Sequence, residues 1–587
     1  MTRRHFLGAS LALAAGAALG GPGAAAAAPL SRVRSGGPGW PREGDWDGLK
    51  QAVGGRLIRP VAPDVSDPAV RVLMKNPFYV GDQPGLTQSS GWFEAWRSSP
   101  SAYAVVAESA ADVAQAVRFA RAHNLRLVVR GGGHSYLGAS NAPDSLMVWT
   151  RKMRQVQVHE AFTPQGSKAA PVPAVSVGAG CIWLDAYKAV TNGAGRYVQG
   201  GGCTTVGIAG LVQGGGFGSH SKAFGTGAAG LLEAEVVTAD GKVRVVNQAR
   251  EPELFWALKG GGGGTYGVIT RLTLATHPLP QTFGAVRMSI HARSDEAYRR
   301  LLARFVELYA TSLHNPHWGE QVHAGPSNRL DVEMVFQGLT GAEARAAWAP
   351  LVAFADASPG DYEGQRSLLA LDLPARKFWD ATFMKNAPGA ITQDQRPGAP
   401  AGNFWWTGDG DQVGAYWNAY TSVWLPDSLL RPENRAKLVD AWFAATRQWS
   451  MGFHFNKGLS GAPPEAIAAS RDTATNPQVL DAFALVIIAS ASGPAYAGMP
   501  LPNPQPAAVS RSRVQAAMTA LRACAPGAGS YVNETDYFQA DWQRAFWGGN
   551  YARLLRVKRR YDPQGLFTVH HGVGSEGWSA DGFTRRA

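Results

Sequence analysis

Two glycine-rich stretches constrain this chain more than any other feature. "RGGGHSYLGAS" (Arg130 to Ser140) and "GGGCTTVGIAGLVQGGGFG" (Gly200 to Gly218) each set a single reactive side chain, His134 or Cys203, directly behind three glycines. Glycine is costly inside helices and strands, so runs of it persist where backbone must take left-handed angles or lie close to something. After a strand, such a run exposes consecutive N–H groups that can hold phosphate oxygens. "GIAGLVQGGGFG" is not the dinucleotide fingerprint, which needs G-x-G-x-x-G on the first strand–helix turn and an acidic residue ~20 positions on. Here the clusters recur at distant places, a third being "KGGGGGTYGVIT" from Lys259. That distribution fits a long ligand lying across a two-part domain.

The 587 residues, 45% hydrophobic and 17% charged, suffice for a buried core and for two or more domains. The N-terminus, "MTRRHFLGASLALAAGAALGGPGAAAAAPL", reads as an export signal over residues 1–28, with Arg3 and Arg4 in a twin-arginine arrangement. Gly20, Gly21, Pro22 and Gly23 argue against a membrane anchor, and no later segment reads as a bilayer span. The net charge of +12 is spread thinly; its densest run, "RVKRR" (Arg556 to Arg560), reads as a solvated helix face, so no nucleic-acid partner is expected. The three cysteines, Cys181, Cys203 and Cys524, lack C-x-x-C spacing, and no metal site is expected.

Along the chain, Ser109 and Asp112 form a capping-box variant ahead of a helix bearing Val113, Ala116, Val117 and Ala120 on one face. A buried strand follows and ends at Arg130. Asp240-Gly241 predicts a hairpin within Leu231 to Asn247, Pro252 opens a short helix that Gly260 can end, and "VITRLTLAT" resumes as a strand. Residues 281 to about 490 carry longer helices, and seven of the 19 tryptophans fall between Trp379 and Trp449. Most of these are expected in the core.

"VVRGGGHSYLGAS", "GGGCTTVGIAGLVQGGGFG", "LFWALKGGGGGTYGVIT" and "NYARLLRVKRRYDPQGLF", in that order, resemble the berberine bridge enzyme-like branch of the vanillyl-alcohol oxidase superfamily. The middle region matches only in length and in "HFNKGLSGAP". The resemblance implies an α+β fold: a two-subdomain α/β FAD-binding domain of the PCMH type, and a substrate domain with an antiparallel sheet covered by helices. The expected boundaries are an N-terminal segment at 29–97, the FAD domain at 98–280, the substrate domain at 281–500 and a C-terminal segment at 501–587 that returns to the FAD domain.

The resemblance also implies FAD tethered twice, through His134 to the 8α-methyl and through Cys203 to C6. Cofactor contacts fall on Arg130, Gly131, Gly132, Gly133, Ser135 and Gly138; on Val206, Gly207, Gly210, Gly214, Gly215 and Gly218; and on Gly267, Val268 and Ile269. Read alone, His134 is equally a loop histidine satisfied by a backbone bond, and Cys203 a small buried hydrophobe. Val206, three residues after the linking Cys, is the smaller type that admits oxygen, which implies O2 as electron acceptor and hydrogen peroxide as product.

Removing hydride from a C–H beside a hydroxyl needs a group to take the other proton. "SYVNETDYFQADWQ" resembles the family's Y-x-N-Y segment with Glu534 in place of the second Tyr. Candidates for the base are Glu534, Tyr537 and, more distantly, His571. The expected function is an exported oxidase of a small hydroxyl-bearing molecule: an alcohol, a sugar or an aromatic metabolite. A dehydrogenase or oxidative cyclase of the same fold, or a non-catalytic flavin- or carbohydrate-binding protein, stays open at this point.

Overall fold

The computed structural model describes residues 30–364, 368–387 and 389–586; the expected export signal lies outside them. Three main sheets organise the chain. The first has the order Leu57–Ile58, Tyr103–Val106, Ser145–Trp149, Arg126–Arg130, the last three strands running parallel. The helix Ala110–Ala122 supplies its return connection. Its capping box closes as expected: Ser109 Oγ accepts from Asp112 N (3.2 Å), and Asp112 Oδ2 accepts from Ser109 N (3.1 Å). Val113, Ala116, Val117 and Ala120 are fully buried.

The second sheet is antiparallel, in the order Val243–Val246, Leu231–Val237, Val268–Ala275, Val172–Gly178, Val156–Phe162. The hairpin turns at Asp240-Gly241, where Gly241 takes φ 74°.

The third sheet has ten strands and forms the floor of the substrate domain. Its central order is Thr282–Ala292, Arg329–Gln337, Trp318–Ala324, Met451–His454, Ala482–Ser492, Ala415–Pro426, all antiparallel. The helices Asp295–Leu308, Gly341–Asp356, Pro432–Thr446 and Pro504–Arg522 cover one face, around the fully buried Trp348 and Trp442. Alternation along Ala415–Pro426 sends Ala419, Val423 and Leu425 toward these helices, and Tyr420 and Trp424 toward Phe217 and Tyr531 of the other face.

The units interlock. Ser89–Trp92, before the FAD subdomains, pairs in parallel with Ala415–Pro426. Helix Pro504–Arg522, beyond residue 500, places Val514, Met518 and Leu521 in the substrate-domain core. Conversely, Trp379, Phe404 and Trp405 leave the substrate domain and pack with Trp183 and Tyr187 of the FAD unit. Five of the clustered tryptophans, Trp379, Trp405, Trp417, Trp424 and Trp442, are buried.

The "RVKRR" run departs from a uniformly solvated face. Arg556, Arg559 and Arg560 are exposed, but Lys558 is buried and donates to Asp562 (2.6 Å), Thr265 O (2.7 Å) and Phe567 O (2.5 Å). Because Asp562 is buried as well, Lys558→Ala leaves its charge without a counter-ion, held only by the backbone N–H groups of Leu566 (2.8 Å) and Phe567 (2.9 Å). An equilibrium denaturant titration is expected to show a loss of about 3–5 kcal/mol, and a loss below 1 kcal/mol would place this pair among ordinary surface contacts.

Candidate active site

The two glycine loops meet backbone to backbone. A Cβ on Gly132 would lie 2.7 Å from Gly207 N and 3.1 Å from Thr205 O, so only glycine lets them approach. That contact holds the His and Cys segments together. Thr205, two residues after Cys203, bonds His134 Nε2 (3.3 Å), which leaves Nδ1 as the free ring nitrogen. Burial lowers His134 to about 4, against a smaller opposing pull from Thr205, so the imidazole is neutral at pH 7.

Arg130 plays another part. Its guanidinium is buried and donates to the carbonyls of Gln83 (2.8 Å) and Val80 (3.0 Å), fastening the N-terminal helix Pro77–Asp82 under the His loop. Ser135 Oγ accepts from Ala139 N (3.1 Å) and closes that loop, while Gly138 packs on the Trp96 ring. Gly207 caps the short helix Ile208–Gln213, and Gly210 has no protein atom within 4 Å of where a Cβ would stand, so one face there is open. Gly214 packs on Asn533 and Gly215 near Tyr531, which seats the Y-x-N segment on the second glycine run; Gly218 packs on Gly200 O. Gly267, Val268 and Ile269 lie buried in or just before the central strand of the second sheet, with both side chains in apolar cores, so they have backbone to offer a ligand.

Glu534 joins a polar cluster at the face of the ten-stranded sheet. It forms an ion pair with Lys457, and its backbone carbonyl accepts from Ser422 Oγ (2.5 Å). Tyr136, Tyr420 and Tyr531 surround it; burial raises all three phenols, and the Glu534 charge raises them further. Tyr136 packs against Trp417 (4.8 Å) and Tyr420 (5.1 Å), an aromatic wall beside the acid.

Tyr537 and His571 belong to a second stack, which borders the aromatic cluster where Tyr537 meets Trp92 (6.0 Å). Tyr537 stacks on His570 (3.7 Å), His570 on His571 (3.9 Å), and His571 on Trp542 (5.3 Å). His571 sits at φ 54° with a buried, unpartnered Nδ1, and burial lowers it to about 3. Of the three candidates for the base, Glu534 is the one paired with Lys457, and its charge acts on Tyr136, Tyr420 and Tyr531, the first two of which also feel Cys203.

Three further residues enter this cluster without a sequence expectation. Lys457 belongs to "HFNKGLSGAP", which carried a resemblance but no assigned role. Asp409 reaches the Cys203 thiol from a 3₁₀ turn in the middle region. Glu320 pairs with Met334 in the sheet register, which would point it into the apolar helix side alongside Trp318 and Val322. Its left-handed backbone, φ 58°, instead lets its carboxylate accept from Ser219 Oγ beside Gly202. Such an angle is strained for a non-glycine residue, and strain of this kind concentrates at functional sites. Burial pushes the Glu320 carboxyl up.

A cavity of about 300 Å³ lined by Arg121, Asp240, Arg244 and Arg560 lies elsewhere, and none of the residues above borders it. Among the described residues no helix is long and apolar enough to cross a membrane, no His, Cys, Asp or Glu group is arranged to hold a metal, and all three cysteines are free thiols.

Comparison with known proteins identifies the family. The FAD binding domain family matches residues 101–247, and the berberine and berberine-like family matches residues 530–574. The FAD-linked oxidoreductase easE of Arthroderma otae is 30% identical over 94% of this chain and 90% of its own. The chain belongs to the berberine bridge enzyme-like branch of the vanillyl-alcohol oxidase superfamily. The crystal structure of the VAO-type flavoprotein MtVAO615 from Myceliophthora thermophila C1 superposes with a TM-score of 0.76 at 27% identity, covering 95% of this chain and all of that one. The glucooligosaccharide oxidase of Acremonium strictum, whose structure carries 6-S-cysteinyl, 8α-N1-histidyl FAD, shares the fold (TM-score 0.61, 20% identity, 81% and 92% coverage). This family member is an FAD-dependent oxidoreductase. The residues present fit FAD: a glycine cradle with open space at Gly210, a neutral His134 with a free nitrogen, and Cys203 close by.

Proposed function

We propose that the chain is an exported oxidase that takes hydride from the hydroxyl-bearing carbon of a small molecule and passes the electrons to O2, with FAD tethered through His134 and Cys203. The observation that carries this reading is the Glu534–Lys457 pair set against Tyr136 and Tyr420 on the side of Cys203. Bound FAD supplies the hydride acceptor. Glu534 accepts the substrate hydroxyl proton, and Lys457 holds that carboxylate in position between turnovers. Tyr136, Trp417 and Tyr420 form an aromatic surface suited to a sugar ring or an aromatic metabolite. Val206, half-buried against the core of the FAD unit, is a small side chain at the position expected to govern the approach of dioxygen, which supports O2 as the acceptor. The twin-arginine leader supports export of a folded, cofactor-loaded protein.

The tether is checked by acid denaturation followed by mass spectrometry. The chain is expected to carry one FAD bonded at both His134 and Cys203, and complete release of free FAD would refute the tether. An oxygen-uptake screen over alcohols, oligosaccharides and aromatic alcohols tests the acceptor; flavin reduced by a donor and then reoxidised only by an added dye or quinone would convert the oxidase into a dehydrogenase.

A further inference from the structure

The Cys203 loop is gripped by the substrate domain. Trp406 Nε1 donates to the carbonyl of Gly202 (3.0 Å), and the Thr204 hydroxyl donates to the carbonyl of Phe404 (2.8 Å). One strand, Phe404–Trp406, thus holds the chain on both sides of the cysteine. The residues that follow it form the 3₁₀ turn Thr407–Gln412, which brings the Asp409 carboxyl beside the Cys203 thiol, near enough for each to act on the other's protonation. Asp409 Oδ2 is buried and has no hydrogen-bond partner among the described residues. The neighbouring charged groups are otherwise engaged: Lys457 with Glu534, and Glu320 with Ser219.

A buried carboxyl with an unused oxygen is expensive to maintain without a task. We propose that Asp409 is the base that takes the proton from the Cys203 thiol when the cysteine bonds to the flavin; this rests on the two-tether reading above. Asp409 accepts the thiol proton, and the sulfur's electron pair makes the S–C6 bond. The C6 hydrogen leaves as a proton, and the flavin is left with two additional electrons. Dioxygen takes that pair with two protons and becomes hydrogen peroxide, restoring oxidised flavin.

The chemistry requires such a base. Burial pushes the Cys203 thiol well above its ordinary value, and the Asp409 charge pushes it further, so the free thiolate is scarce at pH 7. Burial also raises Asp409 to about 6, which makes it a stronger proton acceptor than a solvated carboxylate yet leaves it ionised at pH 7.

The test follows the Cys203–flavin bond by peptide mass spectrometry after FAD is added to the full chain produced without flavin. In the parent protein the bond is expected to form at a rate that rises with pH through about 6 and then levels. In Asp409→Asn it is expected to form at least about tenfold more slowly at pH 7, to go on rising with pH above 8 where the parent rate has levelled, and to leave the His134 bond intact, which reports a folded chain. Asp409→Glu is expected to restore most of the rate. Equal rates in Asp409→Asn and the parent overturn the role of Asp409 and leave the two-tether reading standing. A parent rate that is flat from pH 5 to 8 does the same without any variant, and a parent chain with no flavin on Cys203 overturns both.

Discussion

Glu534→Gln is expected to slow flavin reduction by substrate about 10²–10⁴-fold, the usual contribution of a positioned general base, with covalent FAD unchanged. The amide keeps the shape of the carboxyl but gives up its capacity to accept a proton. It also removes the negative charge facing Lys457, whose side chain is only 11% exposed, so the ammonium is left without a counter-ion in a poorly solvated place. Fold should survive, because the segment is held by backbone: Glu534 N donates to Tyr531 O (2.9 Å), and Ser422 Oγ donates to Glu534 O. Anaerobic stopped-flow reduction at the flavin absorbance separates this from a binding defect, since the limiting rate at saturating substrate should fall. An unchanged limiting rate would pass the role of base to another group, with the Tyr537–His571 stack next in line.

Gly132→Ala is expected to act at an earlier stage, on cofactor loading and stability. Every atom that its Cβ would meet, Gly207 N, Thr205 O and Gly207 Cα, is backbone, so relief requires the two loops to part. Overpacking of this kind costs about 1–3 kcal/mol, concentrated where Thr205 orients His134. The expected result is a severalfold fall in flavin per chain, read as the ratio of flavin to protein absorbance, together with a lower Tm. Gly210→Ala is the contrast, because no protein atom opposes its Cβ: the flavin-free chain should keep its Tm. Full flavin content in Gly132→Ala would mean that the loops have slack that the close approach does not suggest.

Much of this site was legible in the sequence because its chemistry is local. The glycine runs announce themselves, His134 and Cys203 follow them directly, and the Ser109 capping box and the Asp240-Gly241 turn each depend on residues within a few positions. Glu320 was invisible for the opposite reason. Its strand neighbours read as ordinary alternation, and only the left-handed angle turns it out of the helix-side core. Asp409 belongs to a glycine-interrupted stretch, "TGDGDQ", that looks like a solvated turn; its meaning comes from Phe404 and Trp406 docking about 200 residues away in sequence. Lys558 misled by composition, since a basic run on a helix ordinarily faces water, and the buried Asp562 four residues later is what draws it inward. The helix Pro504–Arg522 shows the same limit at larger scale: a proline-rich link resembles a boundary, yet the apolar face that follows belongs to the preceding core.

The grip of Phe404–Trp406 on the cysteine loop also has a consequence for the order of events in the life of the chain. The His134 ring and the Arg130 anchor of its loop are held by residues 80, 83 and 205, all present once the first half has folded, while Tyr136 farther along the loop also leans on Trp417 and Tyr420 of the second half. The Cys203 loop reaches its final geometry only after the substrate domain has docked, so its bond to the cofactor would come last and would mark a chain whose two halves have found each other. If the chain is exported already folded, that sequence would make the second bond a record of completed assembly, written before the chain leaves the cell.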